Sequence, residues 1–188
     1  MSQKIAIFAS GNGSNAQRIA EYFSNDIHIE VRLILCNNEK AYVIERAKQM
    51  NVPCIVFSKA QLNDECFMND VLIQFNIDWI VLAGFLLKVP AYLIRQYNKR
   101  IINIHPALLP DFGGKGMYGD NVHKQVIASG VKESGISIHY VNEFYDEGEI
   151  IFQVKTILQE GETPDSLAQK IHKLEHEYYP KIIRSIIK

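Results

Sequence analysis

Apolar residues along this chain gather in short unbroken runs, and between the runs they recur every three or four positions on a polar background. Unbroken runs are the mark of strands covered on both faces, and the wider spacing is that of helices with one buried stripe. The pattern predicts strands over 4–9, 29–35, 52–57, 79–83 and 100–104. Helices fall between them, one beginning near Ser14 or Asn15 and others over 41–50, 64–75 and 90–97. Ser14 or Asn15 suits the cap of the first helix, and Pro90 suits the first turn of the last. Strands alternating with helices predict a doubly wound, mostly parallel α/β sheet.

Beyond the fifth strand the texture changes. Residues 106–121 hold two prolines and four glycines, too broken for a regular element. A helical pattern returns over 122–128, and 136–141 and 150–156 read as strands joined by an acidic link too short to hold a helix. These two are expected to pair antiparallel and extend the sheet. Thr163-Pro164-Asp165-Ser166 then opens a closing helix, with a cap residue followed by proline at the first helical position. No repeat or linker interrupts the chain, so 1–188 is expected to form one domain.

Composition removes functions rather than adding them. A net charge of −1 gives no basic surface for nucleic acid or an anionic membrane. The longest apolar runs fall short of a membrane span, and the first is too short for a secretory signal. Cys36, Cys54 and Cys66 are odd in number and lack metal-ligand spacing, which reads as reduced thiols in a cytoplasmic protein with no metal.

Candidate chemistry centres on Ile101-Ile102-Asn103-Ile104-His105-Pro106. On an extended strand Asn103 and His105 share a face, and Pro106 ends the ladder at a strand mouth. An amide that can hold an oxyanion then stands beside an imidazole that can carry a proton, although the same pair also suits plain turn hydrogen bonding. Gly11-Asn12-Gly13-Ser14-Asn15 follows the first strand and precedes a helix, where glycines and free amides make an anion site. A dinucleotide-binding unit wants an acid at the tip of the second strand, but here the tip is Cys36-Asn37-Asn38, so a phosphate is favoured. Leu82-Ala83-Gly84-Phe85-Leu86-Leu87 ends the neighbouring strand, with Gly84 allowing close approach and apolar residues able to line a slot for a flat ring. Asp146, in the acidic link, is a carboxylate that can raise the His105 pKa if the fold brings the two together.

Taken together, these blocks resemble the glycinamide ribonucleotide formyltransferases, within the folate-dependent formyltransferase superfamily. The resemblance rests on Phe8 to Asn15, Val81 to Phe85, Asn103 to Pro110, Asp146, and Glu175-His176 with the tyrosine and proline after them, and it spans the chain in the family's order. It implies a Rossmann-like formyltransferase fold and transfer of a formyl group from 10-formyltetrahydrofolate, a co-substrate, to the glycyl amine of the ribonucleotide in purine biosynthesis. Asn103, His105 and Asp146 match the catalytic trio. Gly11, Asn12, Gly13, Ser14, Asn15 and Glu175 match ribonucleotide contacts, and Lys115 is a further candidate. Leu86, Leu87, Lys88 and Val89, with Asn103 and Val141, Asn142, Glu143, Phe144, Tyr145 and Asp146, match the folate slot. Many members carry a basic residue where this chain has Leu87, followed here by Lys88, and the loop over 113–119 is longer than in several of them.

Relatives that act on methionyl-tRNA carry an extra C-terminal domain, whereas this chain stops at Lys188 after its closing helix. The expectation is therefore a monomer or homodimer acting on small molecules, with no nucleic acid and no membrane as partner. An amino sugar nucleotide as acceptor and a nucleotide-binding module without catalysis are the rival readings.

Overall fold

The computed structural model describes residues 2–187. Its sheet contains β1 (Gln3–Ala9), β2 (Ile29–Cys36), β3 (Cys54–Val56), β4 (Trp79–Leu82), β5 (Ile101–His105), β6 (Glu133–Tyr140) and β7 (Ile150–Ile157). The order across it is β3-β2-β1-β4-β5-β6-β7. Every pairing from β3 to β5 is parallel, and β6 joins β5 and β7 antiparallel, as the short acidic link required. The helices are α1 (Ser14–Phe23), α2 (Val43–Gln49), α3 (Lys59–Asn63), α4 (Glu65–Gln74), α5 (Ala91–Gln96), α6 (Asp120–Ala128) and α7 (Pro164–Ile186).

Alternation along the strands divides the core in two. Ile5, Ile7, Val81, Ile102 and Ile104 pack on Ile19 of α1, Val122 of α6 and Ile171 of α7. Ala6, Phe8, Ile80 and Leu82 face the other way, onto Met68 and Leu72 of α4 and Leu93 of α5. Each large aliphatic side chain fully buried in this way contributes about 1.5–3 kcal/mol. The chain winds outward from β1 to β3 and then returns to place β4 on the other side of β1. A crevice opens beyond the carboxyl ends of these two strands, where open sheets of this kind bind ligands.

Two local expectations give way, and one short helix is additional. Gly13, not Ser14 or Asn15, occupies the N-cap of α1 with φ 76°, and no side chain caps the helix. Pro90 sits at the N-cap of α5 rather than within its first turn. Helix α3 was not foreseen, because its five residues carry no apolar stripe. It is held by a capping box in which Ser58 and Gln61 bond each other's backbone amides. The cap and proline at the start of α7 stand as read, with Thr163 and Ser166 forming a second capping box. No described helix is long and apolar enough to cross a membrane.

Candidate active site

On β5 and β6 the face that α4 and α5 cover elsewhere carries polar side chains. Asn103 stands opposite His139 in the ladder, and His105 opposite Ser137. His139 Nδ1 is 2.9 Å from the Tyr140 carbonyl, which can only accept, so that nitrogen carries the proton. His139 Nε2 therefore accepts from Asn103 Nδ2 at 3.1 Å, which fixes the plane of the amide. His105 Nε2 donates to the Phe112 carbonyl at 2.7 Å.

Asp146 arrives from the loop after β6, its backbone in the left-handed region at φ 56°. Its carboxylate accepts from the Gly114 amide at 3.0 Å and lies 3.7 Å from both His105 Nδ1 and His139 Nε2. Those separations are too long for hydrogen bonds and short enough for strong charge coupling. The loop folds back this tightly because residue 148 is glycine: a Cβ there would collide with the Tyr140 carbonyl and stand 3.2 Å from His139 Nδ1.

Burial and charge oppose each other in this cluster. At His105, burial pushes the imidazole below its ordinary 6.5 and outweighs Asp146 and the Phe112 carbonyl, which both favour the charged form. The rise expected from a neighbouring carboxylate is thus corrected by desolvation. Burial pushes the Asp146 carboxyl up, but His139, His105 and the Gly114 amide together hold it below the usual carboxylate value.

A second group of residues forms the other end of the site. With no side-chain cap, the first amides of α1 remain open. The glycine loop leading to them is held from α2: the Val43 amide donates to the Gly11 carbonyl at 3.2 Å, and Arg46 donates to the Asn12 carbonyl and side chain, each at 2.9 Å. Asn15 Nδ2 donates to Glu175 Oε2 at 2.9 Å, and burial pushes the Glu175 carboxyl up. One turn along α7, the buried Tyr179 hydroxyl sits 3.0 Å from the Leu82 carbonyl and 3.2 Å from that of Ile102, anchoring the helix under β4 and β5.

Both ends open into one cavity of about 1010 Å³. It is lined by Gly11 to Asn15, Leu86 to Val89, Asn103, His105, Lys115, Val141, Asn142, Phe144 to Asp146 and Glu175. Of the residues singled out from sequence, Glu143 alone stays outside, on the exposed side of its loop. Gly84 lines the cavity with a left-handed backbone at φ 69°, and a Cβ there would meet no protein atom within 4 Å, so no neighbouring backbone crowds it and the space beside it is open. The cavity also holds His123, His139 and His172, which were not foreseen, and His176, which the resemblance included without a role. His139 had a readable signal: Ile136, Ser137, Ile138 and His139 repeat the apolar–polar alternation of Ile102, Asn103, Ile104 and His105. Among the described residues no group of three or more His, Cys, Asp and Glu side chains is arranged to hold a metal ion.

Comparison with known proteins adds a family. Residues 3–183 match the family described as formyl transferase. The phosphoribosylglycinamide formyltransferase of Bacillus subtilis is 37% identical over 190 residues, covering 98% of this chain and 95% of that protein. The chloroplastic phosphoribosylglycinamide formyltransferase of Arabidopsis thaliana is 40% identical over 190 residues, but this chain spans only 65% of its length. Glycinamide ribonucleotide transformylase 1 of Geobacillus kaustophilus superposes with a TM-score of 0.89 at 37% identity, over 100% of both chains.

Proposed function

The chain belongs to the formyl transferase family, and from that premise we propose that it moves a formyl group from 10-formyltetrahydrofolate to the amine of glycinamide ribonucleotide. The observation that carries this reading is the single cavity in which Asn103, His105 and Asp146 meet the open N-terminus of α1. The phosphate of the ribonucleotide lies over Gly11 to Asn15, where free amides and the helix dipole favour an anion. Glu175, and Lys115 on the exposed loop, stand toward its glycinamide and ribose end. The pterin enters between Leu86 to Val89 and the loop from Val141 to Asp146. Both substrates are small, and the thiols of Cys36, Cys54 and Cys66 suit a reducing cytoplasmic compartment.

The chemistry follows from the polar face of β5. The amine nitrogen attacks the formyl carbon, a C–N bond forms, and the carbonyl oxygen becomes an oxyanion held by the oriented Asn103 amide. His105, neutral at rest, takes the proton that the attacking nitrogen loses, and Asp146 stabilises the resulting imidazolium. The Nε2–H that Phe112 holds at rest is the donor available to the oxyanion once substrates compete for it. As the oxyanion collapses, the bond to N10 breaks and N10 takes the proton that the His105 imidazolium carries, which restores the neutral imidazole and leaves the formylated amine and tetrahydrofolate. No covalent enzyme intermediate is required.

The test is turnover of 10-formyl-dideazafolate with three acceptors: glycinamide ribonucleotide, an amino sugar nucleotide and methionyl-tRNA. Formylation of the ribonucleotide with the other two silent is the expected result. A preference for either of the others overturns the acceptor assignment.

A further inference from the structure

Asn37, at the tip where a dinucleotide site would need an acid, has a partner that gives it another use. Ser10 is buried, directly after β1, and every polar atom it carries is bonded. Its amide donates to the Gly84 carbonyl at 3.0 Å, its carbonyl accepts from Asn38 Nδ2 at 3.5 Å, and its hydroxyl donates to Asn37 Oδ1 at 2.6 Å. With its proton on Asn37, the Ser10 oxygen presents a lone pair to the Leu86 amide, which donates to it at 2.9 Å. Neither Ser10 nor Asn37 lines the cavity, whereas Gly11, Gly84 and Leu86 do.

The position explains the need. Beyond Ala9 and Leu82 the adjacent strands β1 and β4 part, β1 leading to α1 on one face and β4 toward α5 on the other. Ser10 bridges the two loops where they begin to diverge. The glycine loop has separate support from Val43 and Arg46. Among the contacts of the described residues, the Leu86 amide has Ser10 Oγ as its hydrogen-bond partner.

We propose that Ser10, oriented by Asn37, is the positioning residue that fixes the folate-slot loop at Leu86 against the ribonucleotide loop. The proposal rests on the formyl-transfer reading for its substrates, but the tether itself is a property of the free protein. Losing it leaves the part-buried Leu86 amide without its partner and loosens the slot wall beyond Gly84, whose carbonyl keeps its bond to the Ser10 amide, while the phosphate cradle keeps its other supports. The effect therefore falls on one substrate.

Two readouts test this on the full chain. Amide exchange at Leu86, followed without substrate, is expected to quicken about 10-fold in Ser10→Ala while the amides of β4 keep their protection. In steady-state kinetics, Ser10→Ala and Asn37→Leu are each expected to raise KM for 10-formyl-dideazafolate about 10-fold and to leave KM for glycinamide ribonucleotide within about 2-fold. Asn37→Asp keeps an acceptor for the Ser10 hydroxyl and is expected to match the wild type. Unchanged Leu86 exchange in Ser10→Ala, or KM values that rise together for both substrates, overturns the tether. A wild-type protein inactive on this substrate pair, in which Leu86 exchange still responds to Ser10→Ala, overturns the acceptor assignment and leaves the tether standing.

Discussion

His105 is flanked by a carboxylate and a carbonyl that both favour its charged form, yet its burial keeps the imidazole below the ordinary value of 6.5. A base that is neutral at rest and surrounded by groups ready to stabilise its proton suits an acceptor of the amine proton. The field of Asp146 still raises the His105 value relative to what burial alone would give. Asp146→Asn is therefore expected to move the His105 titration, followed by NMR, further down. The variant should keep its fold, because asparagine is at ease with the positive φ that residue 146 adopts. Turnover should fall about 10²–10⁴-fold, the usual loss for a positioned acid–base group. A His105 titration indifferent to the change would show that the 3.7 Å separation carries no coupling.

At the scale of elements, the start of α1 and the course of α7 set the ribonucleotide end. Gly13 is required twice: its φ is 76°, and a Cβ would collide with the Val43 side chain and approach Val43 Cα to 2.9 Å. A Cβ on Gly11 would meet no protein atom within 4 Å and would project into open space. Gly13→Ala is expected to lower the melting temperature and raise KM for the ribonucleotide. Gly11→Ala should raise that KM while melting near the wild type. A Gly13→Ala protein as stable as the wild type would remove the steric account of the α1–α2 contact. In α7, Pro180 has no N–H for the His176 carbonyl one turn back, and Arg18 of α1 donates to it instead at 3.3 Å. The proline thus gives the two helices beside the glycine loop a bond between them.

For the whole molecule, the cavity makes stability depend on pH. Burial pushes His105, His123 and His176 all below 6.5. Below that value the unfolded chain binds more protons at these three positions than the folded one, so stability falls as pH is lowered. Glu175 acts in the opposite sense: its carboxyl is pushed up from 4.5, so above that pH the folded state holds the extra proton. Three groups against one give a melting temperature that drops between about pH 7.5 and 5.5, and Glu175→Gln should steepen the drop. Calorimetry across this range decides it, and a flat profile in the variant would mean that the histidines titrate normally.

The alternation of strands and helices, the antiparallel extension and the capped closing helix were legible because each depends on residues near one another in the chain. The pairing of Asn103 with His105 was legible for the same reason, through a two-residue spacing stopped by Pro106. Asp146 was a candidate as an acid in the link between the two late strands, but only the resemblance separated it, or Glu175, from a solvated acid. Tertiary structure decided the rest. His139 meets Asn103 because β6 runs antiparallel to β5 in one register. Ser10 meets Leu86 because β4 returns beside β1. The state of His105 follows from how much water the folded chain excludes around it, and burial is a property of the assembled molecule rather than of any stretch of its sequence.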